Sequence, residues 1–295
     1  MNTLLFLLYM VPGTVFLGLN DTFIKRLLNT GIQSELLAGL NFSIIGALVF
    51  IAAWIWGLPE IKPGFWEAFI ITVVINIAAQ FAWYRAFQAG EASFVSAMRL
   101  VTPPLVLLTG FFVLGEVPSL LGALGVLTTI AGLWFLVDVQ FDKGMRLHER
   151  IREPAFLYAF LGAFLFAFSF PYDKQAVVAS SAFFFLGAAF LLIGMGNLLL
   201  GYALTKDRAN FFTIPRAVVP IFLISIPVQT AGVFLTLQAL NYSLAAYAAS
   251  TKRLWSFWGV LFSGALLKEK NIGKKLLAVL VMLFGIVLTI ITDFH

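Results

Sequence analysis

AFQAGEASFVSAMRLVTPPLVLLTGFFVLGE, residues Ala86–Glu116, returns in altered form as ALNYSLAAYAASTKRLWSFWGVLFSGALLKE, residues Ala239–Glu269. The two stretches align without a gap at an offset of 153 residues. That offset places Arg99 on Lys252 and Glu116 on Glu269, and outside the stretches it pairs Asn76 with Gln229 and Gly132 with Gly285. An internal repeat in an apolar chain is the mark of a membrane transporter built from two related halves.

Composition supports a membrane setting. Of the 295 residues, 61% are hydrophobic and 11% charged, against about 25% charged in a soluble domain. Most of the surface must therefore face lipid. The chain has no cysteine, which excludes disulfides, thiol catalysis and thiolate metal sites. Its two histidines, His148 and His295, both fall outside the apolar segments. A Ser–His protease or a His-ligated metal site in the membrane is not expected, and neither is a cofactor. The net charge of +5 resides between hydrophobic segments, which reads as membrane topology rather than nucleic-acid binding. The start, MNTLLFLLYMVPG, has no basic region and reads as a first span rather than a cleaved signal.

A helix needs about 20 apolar residues to cross a bilayer. Ten segments qualify: Thr3–Phe23, Leu36–Trp56, Phe65–Phe87, Ser93–Leu114, Ser119–Val137, Ala155–Val177, Ala182–Leu204, Val218–Leu240, Leu244–Leu267 and Gly273–Thr292. The charged stretch between the fifth and sixth is the longest connection. The expected fold is an all-α integral membrane protein, with one five-helix repeat in residues 1–138, a linker at 139–154 and a second repeat in 155–295. Five is odd, so the second repeat enters the membrane inverted relative to the first. Fourteen of the nineteen Lys and Arg residues fall on one side of this topology, only Lys62 falls on the other, and four lie inside spans. This bias assigns the basic side, linker included, to the cytoplasm and both termini to the outside. Glycines at 187, 194 and 201, and at 122, 125 and 132, mark faces where helices pack closely.

Ten spans in two halves, with a fourth span ending in LGE, resemble the drug/metabolite transporter superfamily, specifically its EamA-type branch. The clearest stretches are MRLVTPPLVLLTGFFVLGE at Met98–Glu116 and the segment Ile272–Ile286 with LLKEK before it. The resemblance implies an exporter or exchanger of small metabolites, with substrate held in a central cavity between the halves. It implies no enzymatic activity. It also implies a multi-pass protein of a cell membrane; the compact chain with no targeting extension points to a bacterial inner membrane. A monomer and a homodimer are both compatible with it.

Candidate site residues are the polar groups that lipid disfavours. A charge at the bilayer centre costs at least ~2.5 kcal/mol and therefore faces a cavity or a partner. Arg99 lies inside the fourth span, where it either snorkels to the headgroups or faces inward. Lys252 and Arg253 lie deeper in the ninth. They point about 100° apart, so Lys252 is assigned to the cavity, followed by a stripe of Ser256, Gly259 and Ser263, and Arg253 to gating. The third span carries Asn76, Gln80, Trp83, Tyr84 and Gln88 on one face. The eighth carries Gln229, Gly232 and Thr236. Asn76, Gln80, Trp83, Tyr84, Gln229, Arg99, Lys252, Tyr247 and Trp255 are the expected substrate contacts. Asp173 and Lys174, in FPYDKQ, form either a local ion pair or a gate, and NDTFIK with Asn20 and Asp21 occupies the comparable place in the first span.

Three cations, Arg99, Lys252 and Arg253, face a single evident intramembrane carboxylate, Asp173. Surplus positive charge favours a solute bearing a carboxylate or phosphate. The expected function is alternating-access transport of amino acids or related carboxylate-bearing solutes. The alternative is transport of cationic or quaternary amines in a cage of aromatic side chains.

Overall fold

In the computed structural model, residues 3–106, 120–141, 145–206, 208–239, 242 and 251–291 are described. The described residues are almost wholly helical. The first half contributes α1 (Thr3–Leu28), α2 (Ser34–Trp56), α3 (Phe65–Ala89), α4 (Ala92–Met98) and α5 (Leu120–Gln140). The second contributes α6 (Pro154–Val178), α7 (Ala182–Leu204), α8 (Val218–Ala239), α9 (Leu254–Leu267) and α10 (Ile272–Ile291). A one-turn helix, Leu147–Arg150, precedes α6.

Seven of these helices, α1, α2, α3, α5, α6, α7 and α8, are long and apolar enough to cross a membrane. Two further apolar stretches, Ala92–Val106 and Leu254–Leu267, are shorter among the described residues. Large apolar side chains such as Trp54, Ile55, Leu120, Leu199 and Leu223 are exposed around the outside. On a protein in lipid this is the expected exterior.

Two boundaries differ from expectation in ways that matter for function. Helix α1 does not stop near Phe23 but runs on to Leu28. Asp21 therefore sits about 10 Å from that end of the helix rather than at its mouth. The expected fourth span is not one uniform helix: a 3-10 turn at Arg99–Val101 follows α4, and residues 107–119, Glu116 among them, lie outside the described part.

The principal packing partners come from opposite halves: α2 with α7, α3 with α6, α1 with α8, α1 with α9, α4 with α9, and α5 with α10. Contacts give their direction. Gly39 meets Leu198, Gly194 meets Ser43, Gly46 meets Leu191 and Gly187 meets Phe50, so α2 and α7 run antiparallel. A Cβ at Gly46 or Gly194 would collide with the facing backbone. Small residues let backbones touch, which is how helices gain dispersion energy in lipid. The same seam ends at Gly201, packed against Glu35 and Phe211. Gly132 likewise meets Met282 where α5 packs on α10.

One end of the bundle is tied by charge. Glu269, in the α9–α10 turn, accepts hydrogen bonds from the backbone N–H groups of Ala92 (2.8 Å) and Ser93 (2.9 Å). A carboxylate suits the positive end of a helix dipole. Lys268 and Asn271 adopt left-handed backbone conformations (φ 56° and 58°) in this turn. Lys275 of α10 is buried and paired with Glu91, and it donates to Ser93 Oγ (2.9 Å). Lys25 of α1 donates to the carbonyls of Phe87 (2.8 Å) and Gln88 (3.4 Å), which close α3.

Candidate functional site

A cavity of about 310 Å³ lies between the halves. Its walls come from α1, α2, α3, α6, α7, α8, the Arg99–Thr102 stretch after α4, and the start of α9. Eight of the nine expected substrate contacts line it: Lys252, Arg99, Asn76, Gln80, Trp83, Tyr84, Gln229 and Trp255. Asp173 and Arg253, expected to act as gates, line the same cavity. Tyr247 lies outside the described residues, and so does the side chain of Lys174. Gln88 departs from the stripe. It hydrogen-bonds Ser34 (3.2 Å) and lines a second, smaller cavity beside the ion pair of buried Glu35 with the partly exposed Arg85. Of the α9 stripe, Ser256 lines the main cavity, while Gly259 and Ser263 serve packing: Gly259 abuts Ser96, and Ser263 donates to its carbonyl.

The cavity has two charged ends. At one end Asp21, fully buried, accepts from Ser96 Oγ (2.7 Å) and is ion-paired with Arg99 (3.3 Å). The Arg99 guanidinium lies between two indoles, 4.6 Å from the Trp83 ring centroid and 4.2 Å from that of Trp255. Trp83 is seated against Gly162 of α6, where a Cβ would strike its ring at 2.9 Å. Gly259 allows α9 to approach α4, which brings Trp255 over Arg99. Arg99 thus faces inward rather than snorkelling to the headgroups.

At the other end Asp173 accepts from Thr72 Oγ1 (2.7 Å) and Ser169 Oγ (3.5 Å). Thr72 and Trp83 are eleven residues apart on α3, so the two ends are separated by about 16 Å along the helix axis. Lys252 lies within electrostatic reach of Asp173, Arg99 and Arg253. Among the described residues its side chain has no hydrogen bond or ion pair, and it is exposed to the cavity.

Between the ends runs a band of carboxamides. Gln229 Oε1 accepts from Asn20 Nδ2 (2.9 Å) and Asn41 Nδ2 (2.5 Å), and Asn41 also donates to the Tyr84 hydroxyl (2.6 Å). Asn76 donates to Ser169 Oγ (3.2 Å). The repeat-related residues Asn76 and Gln229 therefore do parallel work: each bonds to the first helix of the opposite half. The Oδ1 atoms of Asn20 and Asn41 are buried without a partner among the described residues. Buried acceptors of this kind are costly until a ligand or water satisfies them.

Sequence reasoning named Asp21 only as the counterpart of Asp173, not as a cavity residue, and it missed Asn41. Asp173 is not the sole carboxylate of the cavity, and the charge balance is three cations against two carboxylates. Asp21 was legible as an acidic residue in NDTFIK, but its depth depended on where α1 ends. Asn41 is a lone carboxamide in α2, with no stripe to announce it.

The EamA-like transporter family model matches residues 4–138 and again residues 153–291. The chain belongs to the EamA-like transporter family. It is thus a multi-pass membrane transporter of small solutes in the drug/metabolite transporter superfamily. A solved crystal structure is similar over 95% of this chain and 97% of its own, with a TM-score of 0.64 at 16% identity. At that identity the likeness concerns the fold alone. A comparison with proteins of curated function finds no match.

Proposed function

We propose that this EamA-family transporter carries small carboxylate-bearing metabolites, amino acids foremost, by alternating access between two inverted five-helix repeats. The observation that carries the reading is Lys252, which is exposed to the cavity and has no hydrogen bond or ion pair among the described residues, whereas Arg99 is paired with Asp21. Its ammonium would take the solute carboxylate through charge-assisted hydrogen bonds. Asp173, within its electrostatic reach, would face the ammonium of a zwitterion. Asn20, Asn41, Asn76, Gln80 and Gln229 offer further donors and acceptors in the band between. A cavity of about 310 Å³ is at the small end of ligand sites and suits a metabolite rather than a bulky drug.

The amine reading has less room. The two indoles best placed to cage a cation, Trp83 and Trp255, are covered by Arg99. The antiparallel course of α2 and α7, which occupy matching places in the two halves, supports the inverted arrangement. The basic side of the chain supports a cytoplasmic linker. Export and exchange both use this site chemistry.

Ligand-induced thermal stabilisation of the detergent-purified protein tests the reading. A ligand at 100 times its Kd adds about 2.7 kcal/mol to stability. Amino acids or other carboxylates should raise the unfolding temperature, and Lys252→Ala should remove the effect. Stabilisation by amines alone would sink the carboxylate reading.

A further inference from the structure

Two tryptophan faces with a carboxylate behind them make a recognition site for an organic cation. The cavity contains such a site, and the chain fills it with its own guanidinium. Trp83 and Trp255 flank Arg99 at 4.6 and 4.2 Å, Phe87 lies at 5.7 Å, and Asp21 closes the far side through the 3.3 Å ion pair. Trp83 and Asp21 are buried, and Ser96 fixes the carboxylate by a 2.7 Å hydrogen bond. Among the described residues Arg99 Nε has no partner, so the guanidinium is held by the rings and by Asp21. A guanidinium is planar, weakly hydrated and stacks on aromatic rings, so it fits such a slot better than a lysine ammonium would.

We propose that Arg99 determines specificity by exclusion. It is a tethered ligand occupying an organic-cation subsite made by Trp83, Trp255 and Asp21, and removing it opens that subsite to guanidinium-type and quaternary ammonium solutes. The proposal rests on the cavity being the solute site, and it deepens the carboxylate reading. With the subsite filled, Lys252 and Arg253 are the remaining cations that line the cavity, and the protein selects for the anionic group. A neutral or smaller side chain at position 99 leaves a desolvated carboxylate facing two indoles, and that arrangement attracts cations.

The test uses the purified full-length chain, wild type and Arg99→Ala, with methylguanidinium and tetramethylammonium at millimolar concentration as probes. Methylguanidinium should raise the unfolding temperature of R99A by about 5–10 °C near saturation and leave the wild type unmoved. Adding Asp21→Asn to R99A should abolish the gain. If R99A cannot be purified alone, methylguanidinium in the purification buffers should recover it. Failure of methylguanidinium either to stabilise or to recover R99A overturns the proposal. So does saturable stabilisation of the wild type by either cation, a measurement that needs no variant. Loss of carboxylate binding by the wild type would instead count against the solute class, and leaves the gain in R99A untouched.

Discussion

Asp21 on α1 and Asp173 on α6 occupy comparable places on the first helix of each half, yet their surroundings differ. Asp21 is fully buried against a guanidinium and a serine hydroxyl from its own half. Among the described residues Asp173 has only hydroxyl donors, Ser169 on its own helix and Thr72 from the other half. A repeated scaffold has thus been divided between a neutralised pole and a pole left with an unspent charge. Lys252, without an ion pair among the described residues, stands near the second. Backbone symmetry shapes the cavity, and departures from it in side-chain charge give the cavity a direction along which a dipolar solute can lie.

The largest effect that would test this contrast is on transport. Lys252→Ala should lower kcat/KM in proteoliposomes by about 10- to 100-fold, the worth of a charge-assisted hydrogen bond or two, while insertion and monodispersity persist. Unchanged uptake would remove Lys252 from the site. Next in size is Asp21→Ala, which strands Arg99 without its carboxylate. Breaking a buried pair costs about 3–5 kcal/mol, so the unfolding temperature in detergent should fall sharply. Asp173→Asn should behave oppositely, with a stability change near 1 kcal/mol and a far larger loss of transport. Equal destabilisation by the two changes would dissolve the contrast. In the seam between halves, Gly46→Val should cost about 1–3 kcal/mol by overpacking against Leu191. Smallest is the tie at the basic end. Glu91 is partly exposed, so a double-mutant cycle with Lys275→Met and Glu91→Gln should return about 1 kcal/mol or less.

Much of the architecture could be read before any coordinates. The seven long apolar helices stand out because lipid demands long uninterrupted runs, and the glycines at 187, 194 and 201 mark a seam that does meet α2. The polar stripe on α3 was legible because a helix has a fixed period. It was misjudged at Gln88, because twelve residues turn a helix by about 120° beyond whole turns. That rotation carries Gln88 out of the main cavity. Arg99 could be identified as an intramembrane cation, but not its direction. Its direction is set by Asp21, 78 residues away, and by Trp255 from the other half. Pairings across such distances leave no periodic trace in a single sequence. The interruption after Met98 does leave a trace, since Pro103 and Pro104 have no N–H to donate to the carbonyls of Arg99 and Leu100, but the sequence reading carried the helix straight through it.

The interleaved packing of the halves bears on how the chain is made. During synthesis residues 1–138 reach the bilayer first, without α6, α7, α8, α9 and α10, on which their helices chiefly pack. Asp21, Ser96 and Arg99 all belong to this early portion, so its buried charges can neutralise one another while the ribosome is still translating. The glycine face of α2 has no such provision and must wait in lipid for α7. Assembly is then the closing of several antiparallel seams at once by the late-arriving portion. Neither portion alone has the neighbours that would make it a self-sufficient folding body.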